Sequence, residues 1–251
     1  MSSQNKLSSE TTLPDYTIQP GWKILIYQMG KVGSRSIYEA IEDRRQNVHH
    51  IHDHNEAAKR LVDIQHPGAP KYFIVTGVRD LLAHSISAFF QNIDKSHKSW
   101  YFGDQEQVLN ADIEELIAHF ERQQVKKLKF VALDWFDSFN RLTGVDVYSM
   151  KKVARRGFQY RKTERVEVFC YKLEKMDAAL KDLRKRLPID GDVEFTPKNV
   201  AEDKWYNDKY KEFKLAYAPR PEVIDLVFSS KVMRHFYKRR EIEKMRQKYI
   251  G

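Results

Sequence analysis

Short, nearly continuous apolar runs alternate with longer amphipathic stretches along this chain. Lys23-Ile24-Leu25-Ile26-Tyr27 is such a run, and it predicts a strand covered on both faces, as in a parallel sheet. After a glycine-bearing turn, Ile37, Ala40 and Ile41 fall at i, i+3, i+4, so Ser36 to Glu42 predicts a helix packed on a core. Val48–His52, Lys71–Thr76 and Val166–Tyr171 predict three further strands. Helical spacing recurs over Leu81–Phe90, Ile113–Phe120 and Leu173–Leu187, and the whole stretch from Lys204 to Tyr249 reads as helical. Strands alternating with helices predict a three-layer α/β fold, a mainly parallel sheet with a helical C-terminal part.

Composition narrows this picture. The 251 residues are 41% hydrophobic and 12% aromatic, enough apolar material for a sizeable core. Residues 1–20 are polar and predict a flexible tail; with no repeat and no Gly/Ser linker after it, residues 21–251 are expected to form one domain. The net charge of +9 suits nucleic acid, a membrane surface or a small polyanion. Neither a paired Cys/His zinc spacing nor an aromatic RNP-like strand accompanies that charge, so nucleic acid is not the expected partner. The single cysteine, Cys170, forms no intramolecular disulfide, and no stretch resembles a signal peptide or a membrane span; a cytoplasmic location without a membrane anchor is the expectation. Cys170 lies on an apolar strand and reads as a small core residue.

The segment Gly30-Lys31-Val32-Gly33-Ser34-Arg35-Ser36 joins the first predicted strand to its helix. Its glycines let backbone N–H groups turn inward, the helix N-terminus adds partial positive charge, Lys31 and Arg35 add full charges, and Ser34 and Ser36 add hydroxyl donors. These are the elements of an anion cradle. The Walker A pattern is not met, because Lys31 precedes Gly33 rather than following a second glycine, which counts against an ATPase or GTPase. A second anion-binding pair follows the Lys71–Thr76 strand: Arg79 leaves its C-terminal end, and Ser87 lies eight residues on. In an open parallel sheet neighbouring strands deliver such residues to one crevice. His84 and Ser85, between them on the helix, are left out of the expected site.

Together and in this order, the two motifs resemble those of the P-loop sulfotransferases, which use 3′-phosphoadenosine 5′-phosphosulfate (PAPS) and release adenosine 3′,5′-bisphosphate (PAP). The resemblance implies that Lys31, Gly33 and Ser34 hold the 5′-phosphosulfate and that Arg79 and Ser87 hold the 3′-phosphate; Arg35 and Ser36 join the expected cofactor-binding residues through the loop's own charge and hydroxyl. Further blocks, Trp135-Phe136-Asp137, Gly144 to Tyr148, Asp203-Lys204-Trp205-Tyr206 and Ser230 to Tyr237, are similar to a bacterial branch of that superfamily named for capsular polysaccharide synthesis. The chain departs from the common pattern in having Gly30 before Lys31, Val32 after it, and Arg35 where a hydroxyl residue is frequent. Arg155-Arg156-Gly157 echoes a block of the phenol and steroid enzymes without its continuation, so the implied acceptor is a hydroxyl on a carbohydrate rather than a small phenol.

Sulfuryl transfer needs cations on the transferring oxygens and a base for the acceptor hydroxyl. The resemblance assigns Lys31 the first role. For the second, His49-His50-Ile51-His52-Asp53-His54 ends the predicted second strand at the same sheet edge. His52 is the expected base, then His54, then His50. A metal site built from these histidines is an alternative reading, although no nearby Cys or Glu set completes it, and no metal is expected. Lys204 and Tyr206 are weaker candidates for lining an acceptor groove. Two rival functions stay open from the sequence: a P-loop nucleotide kinase or phosphotransferase, and a basic polyanion-binding protein without turnover.

Overall fold

The structure, a computed structural model, describes residues 16–41, 47–64, 66–129, 134–151, 157–195 and 204–250. Its strands are β1 (Tyr16–Ile18), β2 (Trp22–Tyr27), β3 (Val48–Ile51), β4 (Lys71–Val78), β5 (Phe158–Lys162), β6 (Val166–Lys172) and β7 (Ile189–Gly191). Five of them form one sheet in the order β3-β2-β4-β6-β5, parallel except for the edge strand β5. The apolar runs are the inner strands, and side chains alternate strictly between two cores. Leu25, Tyr27, Ile74, Val168 and Cys170 enter one; Ile24, Ile26, Phe73, Val75, Phe169 and Tyr171 enter the other. Burial of each such side chain favours the fold by about 1.5–3 kcal/mol, which explains why the middles of these runs are apolar on both faces; the buried charges of β6, Glu167 and Lys172, are each paired, with Lys162 and Glu241.

Helices cover both faces. The second core is closed by α1 (Ser34–Ile41) and α7 (Met176–Arg184). The first is closed by α2 (His54–Leu61), α6 (Trp135–Thr143), α9 (Pro221–Phe228) and α10 (Lys231–Phe236). A third, aromatic core joins α3 (Leu81–Asn92), α4 (Gln105–Asn110), α5 (Ile113–Lys129) and α8 (Asn207–Ala216). The last helix, α11 (Arg239–Ile250), is tied back to the sheet: buried Lys172 pairs with Glu241 at 2.6 Å, and Tyr249 donates to Asp80 at 3.1 Å.

The fold starts earlier than expected. Tyr16–Ile18 pair antiparallel with Ile189–Gly191, so the last residues of the predicted tail form a strand; residues 1–15 lie outside the described residues. The C-terminal stretch is helical as expected, in four helices with short breaks between them. It breaks before Pro221, which opens α9, and at Ser230, whose hydroxyl caps α10. Leu173–Lys175 form a 3₁₀ turn before α7. Among the described residues no helix is long and apolar enough to cross a membrane.

Candidate functional site

The anion cradle begins where β2 ends. Between Tyr27 and Ser34 the chain reverses with Lys31 at φ 64° and Gly33 at φ 82°, both in the left-handed region. At Gly33 the glycine is needed twice over, because a Cβ would also stand 2.8 Å from Leu173 Cδ1 and from Met176 Sδ. The loop is fastened from beneath: the buried Tyr171 hydroxyl donates to the Val32 carbonyl at 2.6 Å, with Gln28 Oε1 at 3.2 Å. Gly77 makes room for that ring, since a Cβ there would lie 2.8 Å from Tyr171 Cζ.

Arg79, just past the end of β4, donates from Nη1 to the Lys31 carbonyl at 3.0 Å. The two expected cations therefore meet at one point. Neither has a carboxylate partner among the described residues, and Lys31 is pushed down to about 8 by burial and by the charges of Arg79, Lys204 and Lys95. Asp80 fixes Arg79 from behind. Its carboxylate caps α3 through Leu82 N at 2.9 Å and accepts from Tyr249, while its own N–H donates to Glu174 at 2.8 Å. Burial raises the Asp80 carboxyl above its ordinary range.

Sequence reasoning missed His84. It lies fully buried on α3 against the Gly30 backbone, and is pushed down to about 3 by burial and by Arg79 and Lys31. The signal was there: His84 and Ser87 are three apart and share one helix face, whereas Ser85 does not. Ser87 is half-buried two turns along from Arg79. Neither ring nitrogen of His84, nor Nε2 of the buried Gln28, completes a hydrogen bond among the described residues.

The histidines separate into two groups. His50 Nε2 lies 2.8 Å from Ser34 Oγ, and its ring stacks on Tyr38 and meets His52 edge-on at 4.3 Å. Burial, His52 and Arg35 push His50 down to about 4, so it is neutral at pH 7. His52 is exposed, and its Nδ1 lies 3.0 Å from the Gln28 carbonyl. A carbonyl only accepts, so Nδ1 carries the proton and Nε2 presents its lone pair outward. His54 is not brought to this group. It is the first residue of α2, bonded to the Tyr27 hydroxyl and packed 4.4 Å from Trp135.

The two remaining residues expected at the loop lie on α1. Arg35 is exposed on α1 and pairs with Glu39 at 2.7 Å, along the helix surface rather than into the loop. Ser36 is buried within α1. Among the described residues no three His, Cys, Asp or Glu side chains converge as metal ligands. Tyr206 packs into the aromatic core at 5.7 Å from Phe90, while the charge of Lys204 reaches Lys31. Arg155, Arg156 and Asp203 lie outside the described residues.

Residues 104–238 match the sequence profile of the family described as "putative capsular polysaccharide synthesis protein". The chain belongs to this family. The searches of curated proteins and of solved structures returned no match. The family region contributes β5, β6 and α4 to α10, and with them the Tyr171 strut, Glu174 and Tyr237 beneath the cleft. Lys31, Arg79 and the histidines precede that region, so the capsular polysaccharide synthesis profile covers the walls of the candidate site and not its cations.

The donor set suits a multiply charged anion. Two cations without a carboxylate partner among the described residues, the Ser34 hydroxyl, and buried polar atoms of Gln28 and His84 that complete no hydrogen bond among those residues come from the loop before α1, the end of β2 and the start of α3, with Gly33 holding the loop in its left-handed turn.

Proposed function

We propose that this protein is a sulfotransferase that moves a sulfuryl group from PAPS to a carbohydrate hydroxyl. The observation that carries this reading is the bond from Arg79 to the Lys31 carbonyl, which unites two cation-bearing strand ends, with His52 on the Gln28 carbonyl where β2 runs into the same loop. The family's description supports a polysaccharide or its precursor as the acceptor.

In this reading the Gly33 region amides, Ser34 and Lys31 hold the phosphosulfate, and Arg79 with Ser87 holds the 3′-phosphate. PAPS supplies an activated sulfur–oxygen bond. The acceptor oxygen attacks sulfur in line, its proton passes to His52 Nε2, and the bridging oxygen leaves with PAP. Lys31 neutralises the charge that grows on that leaving oxygen, an interaction stronger in the transition state than in the ground state. His50, neutral, holds the Ser34 hydroxyl in place.

The test is transfer of ³⁵S from labelled PAPS to a panel of bacterial polysaccharides. Label appears on at least one acidic or neutral glycan with the native chain, and Lys31→Met lowers the rate by about 10²–10³-fold. Equal transfer by the Lys31 variant overturns the assignment.

A further inference from the structure

A second cavity, of about 610 Å³, opens where α9, α10 and α11 meet. Its floor is apolar: Phe228, Phe236 and Tyr237 are buried there and Ile242 is half-buried. Its mouth is cationic, with Arg234, Lys238 and Arg239 all exposed. None of these three side-chain charges has a carboxylate partner among the described residues. Asp225 pairs with Arg246 at 2.9 Å, and Glu241, which accepts from the Lys238 backbone N–H at 2.8 Å, has its charge paired with Lys172 at 2.6 Å. Tyr237 forms a wall held from the other side, its hydroxyl on Glu174 and its ring 4.4 Å from Lys172 Nζ.

The volume is within the range of about 300–1,000 Å³ typical of small-ligand pockets and exceeds what an inorganic anion fills. Uncompensated cations over an apolar floor select an organic anion whose body has flat, apolar faces. We propose that this cavity binds an acidic oligosaccharide, with sugar-ring faces on the floor and carboxylate or sulfate groups on Arg234, Lys238 and Arg239. The choice of sugar rests on the carbohydrate acceptor proposed above; the anion selectivity does not. Tyr237 separates this site from the cleft, and through Glu174 it is linked to the backbone of Asp80, the residue after Arg79. The two sites are thereby neighbours, suited to successive parts of one anionic chain.

The experiment is isothermal titration of the full chain with a fully sulfated heparin disaccharide, maltose and sodium sulfate, each with and without saturating PAP. The disaccharide binds one to one in both conditions, and maltose and sulfate bind at least about tenfold more weakly, as loss of a charge-assisted bond predicts. Arg239→Glu weakens the disaccharide about tenfold or more while keeping the helix start, where an acid is favourable. Ile242→Trp, which fills the cavity, abolishes binding. Absence of disaccharide binding, displacement by PAP, equal binding of sulfate, or indifference to Arg239→Glu each overturns the proposal. Disaccharide binding by a chain that does not bind PAP would leave this site standing and remove the sulfotransferase reading.

Discussion

Lys31 is a cation that both burial and neighbouring charges pull toward its neutral form. Taken out of water beside Arg79, it loses its proton near pH 8 in the free protein, and a bound anion favours the charged form. PAP affinity is therefore strongest below about pH 8 and falls as pH rises through that value, whereas Lys31→Met removes this inflection; titration calorimetry from pH 6.5 to 9.5 checks it. In the absence of ligand the sign is opposite. A lysine whose folded value lies below its unfolded one makes stability rise with pH between about 8 and 10.5. The histidines divide in the same manner between chemistry and packing. His52→Ala lowers kcat by about 10²-fold or more and leaves PAP affinity unchanged, as removal of a general base does. His54→Ala leaves kcat intact and lowers the melting temperature, because it strips a ring from Tyr27 and Trp135. Equal losses of kcat in both variants would show that neither histidine acts alone as the base.

Strand ends, loop and helix starts arrange these side chains. Gly33→Ala forces a non-glycine residue to φ 82° and drives its methyl into Leu173 and Met176. The expected cost is about 1–3 kcal/mol, seen as a melting temperature lower by several degrees together with loss of PAP binding. What the sequence disclosed follows from the same physics. The runs of β2, β4 and β6 were legible because strands covered on both faces are apolar at most positions, and the charges that β6 does bury are paired. The first loop was legible because glycine and lysine between a strand and a helix have few other uses. His54 stands apart from His50 and His52 because β3 ends at Ile51 and His54 already opens α2. Asp53, followed three residues later by Glu56, is an N-cap pattern, and Asp53 does accept from both Asn55 and Glu56 backbone N–H groups, turning the chain into α2. Arg35 was legible as a surface residue from Glu39, four positions on along the same helix. β1, β5 and β7 are short or half-exposed, and pairings between residues as far apart as Tyr16 and Gly191 leave no local trace.

On the scale of the molecule, the N-terminal half contributes the cations and the family region contributes the frame that holds them. Tyr171 braces the loop, Glu174 receives the backbone of Asp80, and α11 returns to the sheet edge through Glu241 and Tyr249. Within a chain of net charge +9, Lys31 and Arg79 come together without a carboxylate partner among the described residues, and in the proposed reading their ligand is a small polyanion with phosphates at two positions. A ligand that binds only the folded state raises the melting temperature with its binding free energy, so no acceptor need be known to test this. The decisive measurement is the thermal shift produced by PAP beside ADP and AMP, in the native chain and in Arg79→Ala. The account predicts a shift that is largest for PAP and is lost in the variant, with the variant's unliganded melting temperature close to that of the native chain. Equal shifts for all three nucleotides, or a PAP shift that survives in Arg79→Ala, would contradict it.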